Sequence, residues 1–271
     1  MTLEFRPAEG ILATFNLLHI ETAGPVVHLR LSRPAKRNAI NDEFMRELHT
    51  AFVNLPTDAR VAVISGEGQH FCAGLDLSEV SEKSVAEGIA HSRQWHAAFE
   101  QLQFGRVPVI AAMQGAVVGG GLELAAAAHL RVADASTYYG LPEGQRGIFV
   151  GGGGSVRISR LIGVPRMSDM MLTGRVFDAN EGYLLGFSNY VVPEGQGLDK
   201  AMELAGRIAT NAPLSNYAVT QALPRIADLA PSEGLFMESL MSAIAQGDEA
   251  AKQRVRAFLD GRAGKVERQT P

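Results

Sequence analysis

The sequence predicts an α/β fold that ends in a helical C-terminal part. Short β-branched strands alternate with amphipathic helices up to about residue 195, glycine clusters stand between strand and helix, and only helical periodicity follows Pro193. Val26–Leu31 reads as a strand closed by Arg33-Pro34, since proline has no N–H for a ladder. Asn41 or Asp42 can cap a helix whose Phe44, Leu48, Ala51, Phe52 and Leu55 share one face. Residues 61–64 form a β-branched run of the kind buried on both faces of a sheet. Val85, Ile89, His96, Phe99 and Leu102 fall roughly in line on a second helix. An apolar strand is expected at 107–113, an alanine-rich helix at 119–130 and a strand at 131–136. The glycine-rich segment 147–154 leads into a helix to Ile162, and Pro165 suits the first turn of the next, through Leu172. Asp178 or Asn180 starts another helix, ending near Gly186. Tyr190–Val192 is the last strand, and helices are expected at 197–211, 214–229, 232–246 and 248–260. The core is expected over 1–200 and the helical region over 201–271, with the boundary inside 195–210.

Composition excludes several classes. The 271 residues carry 25 Lys and Arg against 29 Asp and Glu, a net charge of −4, which argues against a strongly basic nucleic-acid binder. A hydrophobic fraction of 46% is that of a globular chain, not a disordered one. The single cysteine cannot form an internal disulfide and suits a reducing cytosol, so a cytoplasmic protein is expected. The first sixteen residues include Glu4, Arg6 and Glu9 and do not read as a secretory signal. The longest apolar stretch, 107–130, is interrupted by Gln114, Glu123 and four glycines, so no membrane span is expected.

Three local features carry possible chemistry: residues 71–76, Gly119-Gly120-Gly121-Leu122-Glu123, and Leu141-Pro142-Glu143-Gly144. Glycines after a buried strand let a ligand approach the backbone, and the first N–H groups of a helix have no partner within it. Gly120 is such a donor. Leu75, in a tight turn after Gly74, can offer a second, and two convergent N–H groups would stabilise an oxyanion. From the glycine pattern alone, close packing of helix on strand is the plainer reading. Glu123 stands in an apolar run, where a carboxyl needs a partner or a proton. Complementing the helix dipole is the plainer reason for it. Glu143, in a turn, reads alone as an exposed loop residue. The twenty-residue spacing fits one helix and one returning strand, which can bring both carboxyls to one place. Such a pair can be split into an acid and a base, as adding water across a double bond requires. Other features are weaker. Residues 151–154 lack the ending of a P-loop, and neither glycine cluster has dinucleotide spacing. Cys72 near His70 is more simply a small core residue than a nucleophile. Trp95-His96 suits core packing better than a pocket wall, and no grouping suggests a metal.

Together and in order, Arg33-Pro34 to Asn38-Ala39, residues 70–77, residues 107–112 running into 119–125, residues 139–143, Met171-Leu172-Thr173-Gly174 and Arg256-Ala257-Phe258-Leu259 resemble the enoyl-CoA hydratase/isomerase (crotonase) family over nearly the whole chain. The resemblance implies a crotonase-like ββα superhelix with a helical C-terminal trimerisation region, assembled as trimers or paired trimers. It implies an acyl-CoA thioester as substrate and no separate cofactor. By position, the N–H groups of Leu75 and Gly120 would form the oxyanion hole. Glu143 would protonate Cα while Glu123 holds and activates water. Backbone near Ala73 and Leu75 would receive the adenine, with Ala39 and Asp76 in the same CoA-binding region. Lys36 and Arg37 would lie near the CoA phosphates. Phe258 and Lys265 would reach the CoA of a neighbouring subunit.

Simple double-bond isomerases of the family keep only the second carboxylate. Both are present here, so the resemblance implies a hydratase for a short or medium chain 2-enoyl-CoA. The segment after Glu143 departs from the family's Ile-x-Leu-Gly-x-x-Pro-Gly-x-Gly-Gly: residues 144–154 lack the proline and carry Arg146. That run resembles methylthioacryloyl-CoA hydratases, which hydrate and then hydrolyse a short unsaturated thioester. A non-catalytic acyl-CoA-binding protein on the same frame is the alternative of another class.

Overall fold

The computed structural model describes residues 4–79 and 82–262. The chain divides into two compact units, Met1–Ala209 and Thr210–Pro271. In chain order the first unit runs β1 (Arg6–Pro7), β2 (Leu18–Ala23), β3 (Val26–Leu31), α1 (Asp42–Val53), β4 (Val61–Gly66), α2 (Val85–Gln103), β5 (Val109–Met113), β6 (Ala116–Val118), α3 (Gly120–Ala127), β7 (Leu130–Asp134), β8 (Tyr138–Gly140), α4 (Gly154–Ile162), α5 (Val164–Thr173), β9 (Val176–Asp178), α6 (Ala179–Leu185), β10 (Tyr190–Val192) and α7 (Gly197–Ala209). A seven-stranded sheet has the order β1-β2-β3-β4-β5-β7-β10, and a three-stranded sheet the order β6-β8-β9. Pairing is antiparallel from β1 to β3 and parallel from β3 onward to β10.

Each turn of the chain lays one strand in the large sheet and the next in the small one before a helix returns. β5, β6 and α3 make one such turn, and β7, β8 and α4 the next. In the turn that contains β4 and α2, the small-sheet strand shrinks to a bridge between Cys72 and Val117. This is the ββα spiral the resemblance implies.

The parallel strands are buried on both faces, and their alternation divides the core in two. Leu29, Leu31, Ala62, Ile64, Val109 and Ala111 face one cluster with Phe44, Leu48 and Phe52 of α1. Val26, Val61, Val63, Ile110, Ala112 and Val132 face a second with Ala201, Leu204 and Ala205 of α7. So α7, expected as the start of the helical tail, covers the sheet and belongs to the first unit. In the second unit the described residues form α8 (Pro213–Tyr217), α9 (Leu223–Ile226), α10 (Pro231–Gly247) and α11 (Glu249–Leu259).

The caps settle two open alternatives. Asn41, not Asp42, caps α1, its side chain accepting from Phe44 N–H at 2.9 Å. Asp178, not Asn180, caps α6 in a reciprocal box with Glu181. Other boundaries differ from expectation for physical reasons. The alanine run carries no stop signal, yet the helix ends at Ala127, because His129 N–H donates to Val109 and Leu130 pairs with β5. The helix expected at 214–229 runs over 213–226 and widens into a π-helical turn at Ala218–Ala222, next to Pro224, which has no N–H to give.

The small sheet meets α3 closely. A Cβ on Gly121 would overlap the Cys72 carbonyl oxygen. Gly121→Ala is therefore expected to lower the unfolding free energy by ~1–3 kcal/mol. A lower urea midpoint would register this; an unchanged midpoint would mean that the contact has slack.

Candidate active site

The site is assembled where two loops meet the start of α3. Residues 36–40 and 72–76 are laced together: Ala73 N–H donates to Arg37, Ile40 N–H to Gly74, Asp76 N–H to Ile40, and the Cys72 thiol to the Asn38 carbonyl. This lacing turns Leu75 toward α3. A Cβ on Gly74 would stand 3.2 Å from Gly120 N, and one on Gly120 would stand 3.6 Å from Leu75 N. The two N–H groups therefore lie near each other, and neither donates to a carbonyl among the described residues. Gly74, at φ +92°, and Gly119, at φ +53°, hold backbone conformations that favour glycine.

Glu123 lies in the first turn of α3 and is buried. Its Oε1 accepts from Gly152 N–H at 2.8 Å and from Gly154 N–H at 2.7 Å. Burial pushes its carboxyl up; those N–H groups and the charge of Arg157 oppose the shift. Glu143 comes to the same place from the turn after β8. Its Oε1 would lie 2.6 Å from a Cβ on Gly119, and its buried Oε2 has no hydrogen-bond partner. Burial pushes Glu143 up to about 7, the charge of Glu123 adding to the rise and Arg146 opposing it. The four residues expected to act together are thus brought together: two backbone donors, one carboxyl held by two N–H groups, and one that takes a proton near neutrality.

Trp95, expected as core packing, is buried there, but its ring also walls the site. It stands against Gly120 and Gly152, and the indole N–H has no partner among the described residues. Gly152 and Gly154 are further site residues that the sequence reading missed. The glycine run before α4 was the available signal, though it has neither the ending of a phosphate loop nor the spacing of a dinucleotide fingerprint. Cys72 is fully buried, its thiol pushed up to about 12 by desolvation, so it is no nucleophile.

Of the residues expected at CoA, Lys36, Arg37, Ala39, Ala73 and Asp76 lie in the laced loops. Asp76 is buried and held well below the ordinary carboxyl range by hydrogen bonds from Ser78, with Lys36 and Arg33 also donating to it. Lys36 is half exposed and shares its charge with Asp76 at 3.2 Å. The Ala39 carbonyl accepts from Arg33 at 2.6 Å. A cavity of about 240 Å³ opens beside Leu75, between Asn41, Arg46, Asp76, Lys83 and His91. A larger one, of about 710 Å³, lies by Ser65, Asp134 and Glu194, and neither Glu123 nor Glu143 lines it. Phe258 is exposed on α11 of the second unit, and Lys265 lies outside the described residues.

The comparisons with known proteins agree with this geometry. The enoyl-CoA hydratase/isomerase family model matches residues 21–269. The chain is 32% identical over 249 residues to enoyl-CoA hydratase EchA19 of Mycobacterium tuberculosis, covering 90% of this chain and 94% of that one. It is 34% identical over 239 residues to 2,3-dehydroadipyl-CoA hydratase of Escherichia coli, covering 88% and 93%. A solved structure from Rhodopseudomonas palustris CGA009, assigned as an enoyl-CoA hydratase, is 59% identical with a TM-score of 0.89, covering 91% and 95%. With a family model spanning nearly its whole length, and full-length relatives that share its spiral, this chain belongs to the enoyl-CoA hydratase/isomerase (crotonase) family.

Proposed function

We propose that this chain is an enoyl-CoA hydratase that adds water across the 2,3 double bond of a short or medium chain 2-enoyl-CoA. The observation that carries the reading is the buried pair Glu123 and Glu143 beside the neighbouring N–H groups of Leu75 and Gly120. The thioester oxygen accepts from those two N–H groups, which stabilise the negative charge that develops as water attacks Cβ. Glu123, ionised, takes the proton from the water. Glu143, protonated, delivers its own proton to Cα. The negative charge of Glu123 favours the protonated form of Glu143, so each carboxyl helps set the other's state.

Lys36 and Arg37 meet the CoA phosphates, and Ala39, Ala73 and Asp76 frame the adenine. Phe258 and Lys265 serve a neighbouring subunit in a homotrimer or homohexamer. Leu235, Phe236, Leu240 and Ile244, exposed along α10, suit such an assembly. Among the described residues no helix is long and apolar enough to cross a membrane. A reducing, cytoplasmic setting agrees with the single buried thiol. The divergent run 144–154 supplies the glycines that hold Glu123, and it favours one second reading, hydration followed by thioester hydrolysis.

Three outcomes test these readings. With crotonyl-CoA, Glu143→Gln is expected to slow the loss of enoyl absorbance by ~10²–10⁴-fold with KM little changed. Equal rates in both proteins would remove Glu143 from the mechanism, and release of free thiol would select the hydrolytic variant. Hydration in the wild type falls as pH rises through about 7, where Glu143 ionises, and falls at the acid end as Glu123 takes up a proton. A flat profile across that range would contradict the acid–base pair. The third outcome is thermal. Unfolded Glu143 ionises at the ordinary 4.5 and folded Glu143 at about 7, so the wild type loses stability as pH rises between those values. Glu143→Gln should therefore gain in Tm relative to wild type from pH 4.5 to 8; a constant difference would show that the folded carboxyl is not raised.

A further inference from the structure

The glycine turn that holds Glu123 has no side chains of its own to keep its shape. Residues 151–154 are four glycines, and Gly153 sits at φ +96°. Such a run samples many conformations unless its peptide groups are tied down. Ties come from α2 and α4. The Gly151 carbonyl accepts from Ser92 Oγ at 2.6 Å, on the same peptide whose N–H, that of Gly152, donates to Glu123. The Gly152 carbonyl accepts from Arg157 Nη1 at 2.9 Å, while Arg157 Nε donates to Gln103 Oε1 at 2.7 Å. The guanidinium lies against the turn, where a Cβ on Gly153 would overlap Nη1. Both N–H groups of the turn reach the same oxygen, Oε1. Oε2 takes no part in those two bonds, so it is the oxygen this reading assigns to water, with the Gly151 N–H also acting on the carboxylate.

We propose that Arg157 is a positioning residue for Glu123: through the Gly152 carbonyl it holds the glycine turn so that one carboxylate oxygen is bound and the other is presented to the attacking water. This rests on the reading of Glu123 as the group that activates water. Arg157 bears on Glu123 through its charge as well as through the turn. Glu100 and Glu123 both face the guanidinium, His96 lies close by on α2, and Glu143 faces Glu123. Lysine can keep the charge at 157 but not both bonds, because it lacks the forked donors that span Gln103 and Gly152.

The test has two readouts. The first is infrared titration of protonated carboxyl groups, with Glu123→Gln identifying the Glu123 band; it needs no activity. Arg157→Met is expected to move that band's titration to higher pH. Arg157→Lys should move it less, and Ser92→Ala, which loosens the turn without removing charge, should move it slightly. The second is hydration of crotonyl-CoA. Arg157→Met should lower kcat on the order of 10²-fold, with KM unchanged and the acid limb of the pH profile moved up. A purely structural role would lower Tm and the active fraction but leave both pH profiles in place, and that result overturns the proposal. Should Arg157→Met fail to fold, the lysine and Ser92 variants decide by the same criteria. A wild type that does not hydrate any enoyl-CoA would instead overturn the functional reading, while the infrared titration still reports whether Arg157 acts on Glu123.

Discussion

A carboxylate buried in the first turn of α3 loses hydration that only hydrogen bonds can replace, and here those bonds come from two glycine N–H groups at sequence separations of 29 and 31. The rest of the site depends on that contact. It ties α3 to the turn before α4, so two successive turns of the spiral must be in place before Glu123 is satisfied. The N–H groups offset part of the burial cost and keep an ionised carboxylate within reach. That charge in turn helps to hold Glu143 as an acid near neutrality. Burial raises both carboxyls, and hydrogen bonds and charge then act on them unequally: N–H groups oppose the rise at Glu123, and the charge of Glu123 adds to it at Glu143.

The two backbone N–H groups proposed to bind the thioester oxygen are placed by close packing. Leu75 and Gly120 belong to segments that approach because Gly74 and Gly121 have no side chains to separate them. Loop 36–40 backs this approach with a ladder of backbone bonds, and buried Asp76 pins the loop through Arg33 and Lys36. A rigid pair of donors needs little rearrangement when charge develops on a bound oxygen, the condition under which such donors stabilise a transition state most.

The central parallel strands of the large sheet were legible because they are buried on both faces and read as apolar runs. The runs at 61–64 and 107–113 lie on β4 and β5, and α1 presents the apolar face expected of it. The strands of the small sheet were not legible. β6, β8 and β9 have three residues each, too few to show a period, and their partners lie far away in sequence. β2 shows alternating burial and could have been read; its polar His19, Glu21 and Thr22 hid it. Of the site, Glu123 stood out as a charge in an apolar run. Gly152, Gly154 and Arg157 did not, because nothing local says that a glycine turn and an arginine one helical turn later serve a carboxylate 29 residues upstream.

By itself the sequence determined the alternation of strand and helix, the two glutamates and the glycines placed to expose backbone, since these follow from side-chain chemistry and short-range periodicity. Only the tertiary structure decided that Glu143 comes to Gly119 within reach of the charge of Glu123, that burial raises both carboxyls while N–H groups oppose the rise at Glu123, and that Trp95 stands against Gly120 and Gly152. These are properties of distance and burial, and both are created when the turns of the spiral stack.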